Sequence, residues 1–304
     1  MNIKAGFVGL IGQPNAGKST LLNILVEQKV SIVTAKPQTT RRRIMGIMSA
    51  EGAQVILVDA PGVVKAKSGL NAFLEREALD VISGSDSLCA VLSLDEDKKE
   101  NIDQIIELVV ASGKPWFAVI TKVDMVDKRH RLAKIRIDLS EKYPQVKVLE
   151  ISKDWGKDTK EFRDAFVDEC KRFLPESPAP LYDIELFTTH TVRELACEIV
   201  REKCFEELHQ EIPYNLAVRI SKFDEDQPGL AKIYAEIIVA KENHKPIIVG
   251  KGGEQIKRIG VKARMELEKM LDQKVYLNLD VAVRPEWFEN PRLMKELGYV
   301  ITEK

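Results

Sequence analysis

Gly12-Gln13-Pro14-Asn15-Ala16-Gly17-Lys18-Ser19 follows an apolar run at residues 7–11 and precedes Thr20-Leu21-Leu22-Asn23-Ile24-Leu25. It fits G-x-x-x-x-G-K-[ST], a pattern that carries meaning only between a strand and a helix, and the flanking residues predict both. The glycines let backbone N–H groups converge on phosphate oxygens with no Cβ in the way. The helix start adds partial positive charge. Gly12 through Thr20 are thus expected to cradle a nucleoside triphosphate, with Lys18 on the β- and γ-phosphates and Ser19 on Mg²⁺.

Outward from this loop, strand-like and helix-like segments alternate to about residue 174. Residues 55–58, 88–94, 116–121 and 146–151 are short apolar runs of the kind that form buried parallel strands. Ile102, Ile105, Ile106 and Val109 are spaced for one helical face. Residues 44–48 and 53–58 flank Ala50-Glu51-Gly52 and predict a hairpin. The pattern implies an α/β domain of three layers with a mostly parallel sheet over residues 1–174. Three prolines within 175–180 break it, so residues 175–182 are expected to be a linker. Residues 183–304 then read as a smaller α+β domain ordered helix, two strands, two helices, strand. Its strands alternate at 216–220 and 233–239, with 224–229 expected as the loop between them.

With 304 residues, 44% hydrophobic and 31% charged, the chain can bury two ordinary cores. A formal net charge of -1 excludes a globally basic nucleic-acid binder and leaves only local patches. Cys89, Cys170, Cys197 and Cys204 show no C-x-x-C spacing, which argues against a metal cluster or disulfide framework and for a reducing cytosol. Strand character begins at the start of the chain, leaving no room for a signal peptide, and no apolar run approaches the ~18 residues that span a bilayer. The expected location is cytoplasmic, at most peripheral on the inner face of the cell membrane.

Two further motifs belong with the phosphate loop. Asp59-Ala60-Pro61-Gly62 ends an apolar strand, as a D-x-x-G sensor does: Asp59 is expected to hold Mg²⁺ through a water and the Gly62 amide to meet the γ-phosphate. Thr121-Lys122-Val123-Asp124 resembles N-K-x-D. The Asp124 carboxylate would accept from the N1–H and exocyclic amine of guanine, a donor pair that adenine lacks. Ile151-Ser152-Lys153 ends the next strand, where Ser152 and Lys153 would face the base.

The order and spacing of these motifs resemble the GTPases related to Ras and, among them, the Era family of ribosome-assembly GTPases. In Gln38-Thr39-Thr40-Arg41-Arg42-Arg43, which looks like the first switch of that family, Thr40 would complete the Mg²⁺ shell with Ser19 and Asp59. The resemblance implies GTP and GDP as ligands. It also implies catalysis by a site of Lys18, Ser19, Thr40, Asp59 and Gly62. The chain departs from the family pattern at Ala60, Thr121 and Lys153. Val63 stands where Ras-type enzymes place a water-orienting glutamine, so intrinsic hydrolysis is expected to be slow. Asn15 matches relatives that use K⁺ in place of an arginine charge, a role left open beside a plain structural one.

The second domain carries Ile247-Ile248-Val249-Gly250-Lys251-Gly252-Gly253-Glu254-Gln255-Ile256-Lys257-Arg258-Ile259-Gly260, which resembles a KH domain of type II with its G-x-x-G loop. Glycines allow close approach to a nucleotide backbone. Lys251, Lys257 and Arg258 are expected on phosphates, and Ile248, Val249, Ile256 and Ile259 as an apolar floor under the bases. Glu198-Ile199-Val200-Arg201-Glu202-Lys203 is similar to E-I-I-R-E-K of the Era family. That resemblance implies binding of the 3′ end of small-subunit (16S) rRNA, action on the 30S subunit during its assembly, and a monomer. Two rivals stay open: an NTPase whose second domain binds protein, and an RNA-binding scaffold with vestigial turnover.

Overall fold

The computed structural model describes residues 2–34, 36, 40–62, 69–152 and 159–299. The sequence expectations on Gln38, Thr39, Val63 and Lys153 lie outside the described residues. The chain divides into two compact units, the first comprising residues 1–31, 40–65 and 74–189, the second 32–39, 66–73 and 190–304.

The first unit is a seven-stranded sheet between two helical layers. Its strands are β1 (Ile3–Ile11), β2 (Ile44–Ala50), β3 (Ala53–Asp59), β4 (Ser87–Ser93), β5 (Trp116–Thr121), β6 (Val148–Ile151) and the short β7 (Glu176–Ser177). The order is β2-β3-β1-β4-β5-β6, with β7 pairing on β1. All of these pairs are parallel except β2–β3 and β1–β7. The predicted hairpin is therefore present, with Ala50 opposite Ala53. Every residue of β3 and β4 is buried, which fits the apolar runs Val55–Val58 and Leu88–Leu92 at their centres. One face packs against α1 (Lys18–Val26) and α5 (Thr159–Lys171) through Leu21, Leu25, Phe162 and Phe166. The other packs against α2 (Gly69–Gly84), α3 (Lys99–Ala111) and α4 (Arg129–Lys142) through Val81, Ile105, Val109 and Leu139.

Residues 175–182, expected as a linker, lie against this unit. The Pro175 carbonyl accepts from Ala5 at 3.0 Å, and Ser177 pairs with Ile3. Further along, Gln54 bonds the Tyr182 backbone in both directions at 2.9 Å, and Thr188 donates to the Met45 carbonyl at 2.6 Å. The proline-rich stretch thus covers sheet backbone groups that would otherwise be open to pairing.

The second unit runs α6 (Val192–Glu207), β8 (Leu216–Gln227), β9 (Leu230–Val239), α7 (His244–Val249), α8 (Glu254–Leu271), β10 (Lys274–Val283) and α9 (Pro291–Glu296). The expected order helix, two strands, two helices, strand is present. Thr191 opens α6 with a reciprocal capping box to Glu194. The sheet is ordered β10-β9-β8, with β10 parallel to β9. A parallel return needs a crossover, and α7 with α8 provides it. Residues 224–227, expected as loop, extend β8, because exposed charges suit an edge strand as well as a loop. The core joins Ile199, Cys204, Ile233, Ile237, Ile248, Ile259 and Leu267. Two outlying segments belong with it: the Val33 amide donates to Glu202 at 3.0 Å, and the Leu70 amide to the Phe288 carbonyl at 3.0 Å.

Candidate functional site

In the first unit, β1, β3, β5 and β6 all end at the carboxyl edge of the sheet, and the loop after each carries one of the motifs. Ligands of open parallel sheets bind at that edge. The phosphate loop leaves β1 with Asn15 at φ 62° and Gly17 at φ 89°, then enters α1 directly at Lys18. Lys18 is buried, and its ammonium donates to the carbonyls of Gly12 and Gln13, each at 3.0 Å. Burial pushes its pKa down, opposed by Asp59. Gly62 comes so close to the loop that a Cβ there would lie 2.7 Å from the Pro14 nitrogen. The D-x-x-G and phosphate loops are thus in contact through glycine.

Ser19, Thr40 and Asp59 converge as the sequence anticipated. Ser19 Oγ donates to Asp59 Oδ2 at 2.6 Å and lies 2.9 Å from Thr40 Oγ1. Ser31 Oγ, which sequence reasoning missed, also donates to Asp59 Oδ2 at 3.4 Å. Asp59 is fully buried, and its Oδ1 has no hydrogen-bond partner among the described residues. Burial pushes its carboxyl pKa up, opposed by Lys18 and by these hydroxyls. An orphaned carboxylate oxygen beside two hydroxyls is an all-oxygen donor set, and such a set fits Mg²⁺.

At the ends of β5 and β6, Thr121 Oγ1 donates to the Ala16 carbonyl at 2.7 Å. The Thr121 hydroxyl therefore braces the phosphate loop. Ser152 Oγ donates to Asp124 Oδ1 at 2.8 Å and holds that carboxylate in place. Lys122 takes a left-handed φ of 59°, and its ammonium lies 3.4 Å from Asp95. Asp95 is a residue that no motif flagged. A cleft of about 360 Å³ lined by α3 and α4 contains none of these motif residues.

In the second unit, Gly250, Gly252 and Gly253 all take positive φ between α7 and α8. Gly250 is obligatory, since a Cβ there would sit 2.6 Å from Gln255 Cβ. Lys251, Lys257 and Arg258 are exposed, as phosphate-contacting groups must be. The expected apolar floor needs correction. Ile248 and Ile259 are fully buried in the core, so they cannot touch a base, while Val249 and Ile256 are half-buried. A groove of about 260 Å³ is lined instead by Ile256, Gly260, Val261, Leu277 and Leu279, together with Lys257 and Arg264. The spacing of 256, 260 and 264 on one helical face was a usable signal for it.

Comparison with known proteins agrees with this geometry. Residues 7–122 match a family described as 50S ribosome-binding GTPase, and residues 211–288 match the KH domain family. The chain is 39% identical over 297 residues to GTPase Era of Geobacter metallireducens, covering 97% of this chain and 98% of the relative. It is also 39% identical over 296 residues to GTPase Era of Geotalea uraniireducens, with 97% and 98% covered. Among solved structures, a variant of Aquifex aeolicus Era bound to GDP and AlF4⁻ superposes with a TM-score of 0.89 at 33% identity, covering 98% of this chain and 100% of that one. Era in complex with MgGDPNP and nucleotides 1506–1542 of 16S ribosomal RNA gives a TM-score of 0.89 at 34% identity, with the same coverage.

Proposed function

This chain belongs to the Era family of GTPases, and on that premise we propose that it is a GTP-driven switch that binds the 3′ end of small-subunit rRNA through its KH domain and assists 30S assembly. The observation that carries the reading is the joint presence of the Ser19–Thr40–Asp59 cluster and the Gly250–Gly253 loop in one chain.

Ser19, Thr40 and Asp59 would hold Mg²⁺, which when bound neutralises phosphate charge. Lys18 binds the β- and γ-phosphates, and the Gly62 amide, packed on Pro14, senses the γ-phosphate. Asp124, steadied by Ser152, reads guanine. Nucleotide ordering of residues 31–43 and 62–74 would bias how the KH domain is presented, and a ligand shifts such an equilibrium only through contacts that differ between states. The hydrogen bonds from Val33 to Glu202 and from Leu70 to Phe288 support that route, since both segments belong with the second unit. Hydrolysis then acts as a release step.

In the RNA site, Lys251, Lys257 and Arg258 take phosphates, and the bases lie over Ile256 and its neighbours in the groove. The test is anisotropy titration of a labelled oligonucleotide matching a small-subunit rRNA 3′ end, at fixed salt. Tighter binding with a non-hydrolysable GTP analogue than with GDP is expected. Replacing Gly252 and Gly253 by Asp, which puts two negative charges where phosphates bind, is expected to remove binding. Equal binding by that variant would favour a protein-binding second domain.

Asn15 is further proposed to hold K⁺ beside the phosphates, where it would supply the charge of an arginine finger. Turnover is then expected to be faster in potassium than in sodium salts, and equal rates in both would remove that role. Of any contact with the inner face of the membrane, the described residues show only that no helix is long and apolar enough to cross one.

A further inference from the structure

α8 begins at the G-x-x-G loop and carries the cations Lys257, Arg258, Lys262 and Arg264. Two of them are already engaged. Glu207, the last residue of α6, accepts from Arg258 Nε through Oε2 at 3.1 Å and from the Lys262 ammonium through Oε1. Its backbone carbonyl accepts from Gln255 Nε2 at 2.9 Å, so the end of α6 is fastened to the first turns of α8 at three points. Among the described residues, no carboxylate lies within ion-pair distance of Lys257 or Arg264 on the same helix. The Glu207 side chain is only 12% exposed, whereas those of Arg258 and Lys262 are 61% and 48% exposed. The carboxylate is thus sheltered while its cations face solvent. Lys262 holds its carboxyl below the usual glutamate range, followed by Arg258.

Two carboxylate oxygens shared between a guanidinium and an ammonium reproduce what the non-bridging oxygens of a phosphate offer the same donors. We propose that Glu207 is an intramolecular stand-in for an RNA phosphate, a counter-charge that occupies Arg258 and Lys262 in the RNA-free chain and sets RNA affinity by competing for them. The proposal rests on the reading of this unit as an RNA-binding KH domain and names a residue that limits that site. The rival account, in which Glu207 orients the two cations for RNA, predicts the opposite sign.

Glu207→Gln keeps the shape of the side chain and the backbone contact to Gln255 but removes the charge. RNA binding by the full chain, loaded with a non-hydrolysable GTP analogue, is expected to tighten about three- to ten-fold, the scale of releasing two ion pairs whose cations face solvent. Salt dependence is expected to steepen, because displacement no longer frees a carboxylate that recaptures a cation. In a background of Arg258→Ala with Lys262→Ala the same substitution is expected to have no effect on affinity. Weaker binding, binding within two-fold of the unaltered chain, or a gain that persists without Arg258 and Lys262 would each overturn the proposal. Failure of the unaltered chain to bind the oligonucleotide would overturn the RNA reading itself, and the proposal with it. That result is seen before any variant is made.

Discussion

Lys18→Ala is expected to lower GTP affinity and turnover by roughly 10²–10⁴-fold, the ~3–5 kcal/mol that removal of one partner from a buried charge pair costs. The folded chain buries this ammonium with two carbonyls of its own loop as partners, and that burial disfavours its charge. A triphosphate at the proposed site would bring the missing counter-charge to the same place, so the lysine would interact far more strongly with ligand bound than without. The substitution therefore separates binding from stability. Thermal unfolding of the nucleotide-free variant is expected to change little, since relief of one desolvated ammonium offsets the loss of two hydrogen bonds and of the charge that faces the buried Asp59 carboxyl. Calorimetric titration with GTP and a phosphate-release assay measure the two effects. Near-native affinity in a folded variant would remove Lys18 from the phosphate site.

The sequence made the chemistry legible where it is local. The phosphate loop, D-A-P-G and T-K-V-D each sit at a strand end, and runs such as residues 88–94 are of the kind that form buried strands. Their meeting at one edge then follows from the parallel topology, so Ser19 and Asp59 could be grouped before any coordinates, whereas Thr40 joined them only through the family resemblance of residues 38–43. What the sequence hid depends on long-range packing. Thr121 gives no local sign that its hydroxyl reaches the Ala16 carbonyl, 105 residues away. The proline stretch at 175–180 excludes helix and central strand, yet a backbone that accepts hydrogen bonds can still line a sheet, as Pro175 does for Ala5. In the KH unit, Ile248, Ile256 and Ile259 are chemically alike. Only the burial of two of them beneath α7 and α8 decides which isoleucine faces the groove. Glu207 carries no motif at all, because its partners lie on another helix.

Asp124→Ala is expected to abolish the preference for guanine while leaving phosphate binding in place. A carboxylate accepting from the N1–H and the amine of guanine makes two charge-assisted hydrogen bonds, together about 3–6 kcal/mol or roughly 10²–10⁴ in affinity. None of the described side chains nearby can take over that reading. The Thr121 hydroxyl is committed to Ala16, and the Lys122 ammonium lies toward Asp95. Ser152 donates to Asp124 and offers the base no acceptor of comparable strength. The loss should therefore fall on GDP and GTP, with ADP and ATP nearly unchanged, so that the ratio of GDP to ADP affinity collapses toward one. Competition of both diphosphates against a fluorescent nucleotide gives that ratio directly. A parallel drop for ADP would mean that the loop itself had collapsed. A ratio that stayed high would place guanine recognition in backbone groups at the ends of β5 and β6 and take it away from Asp124.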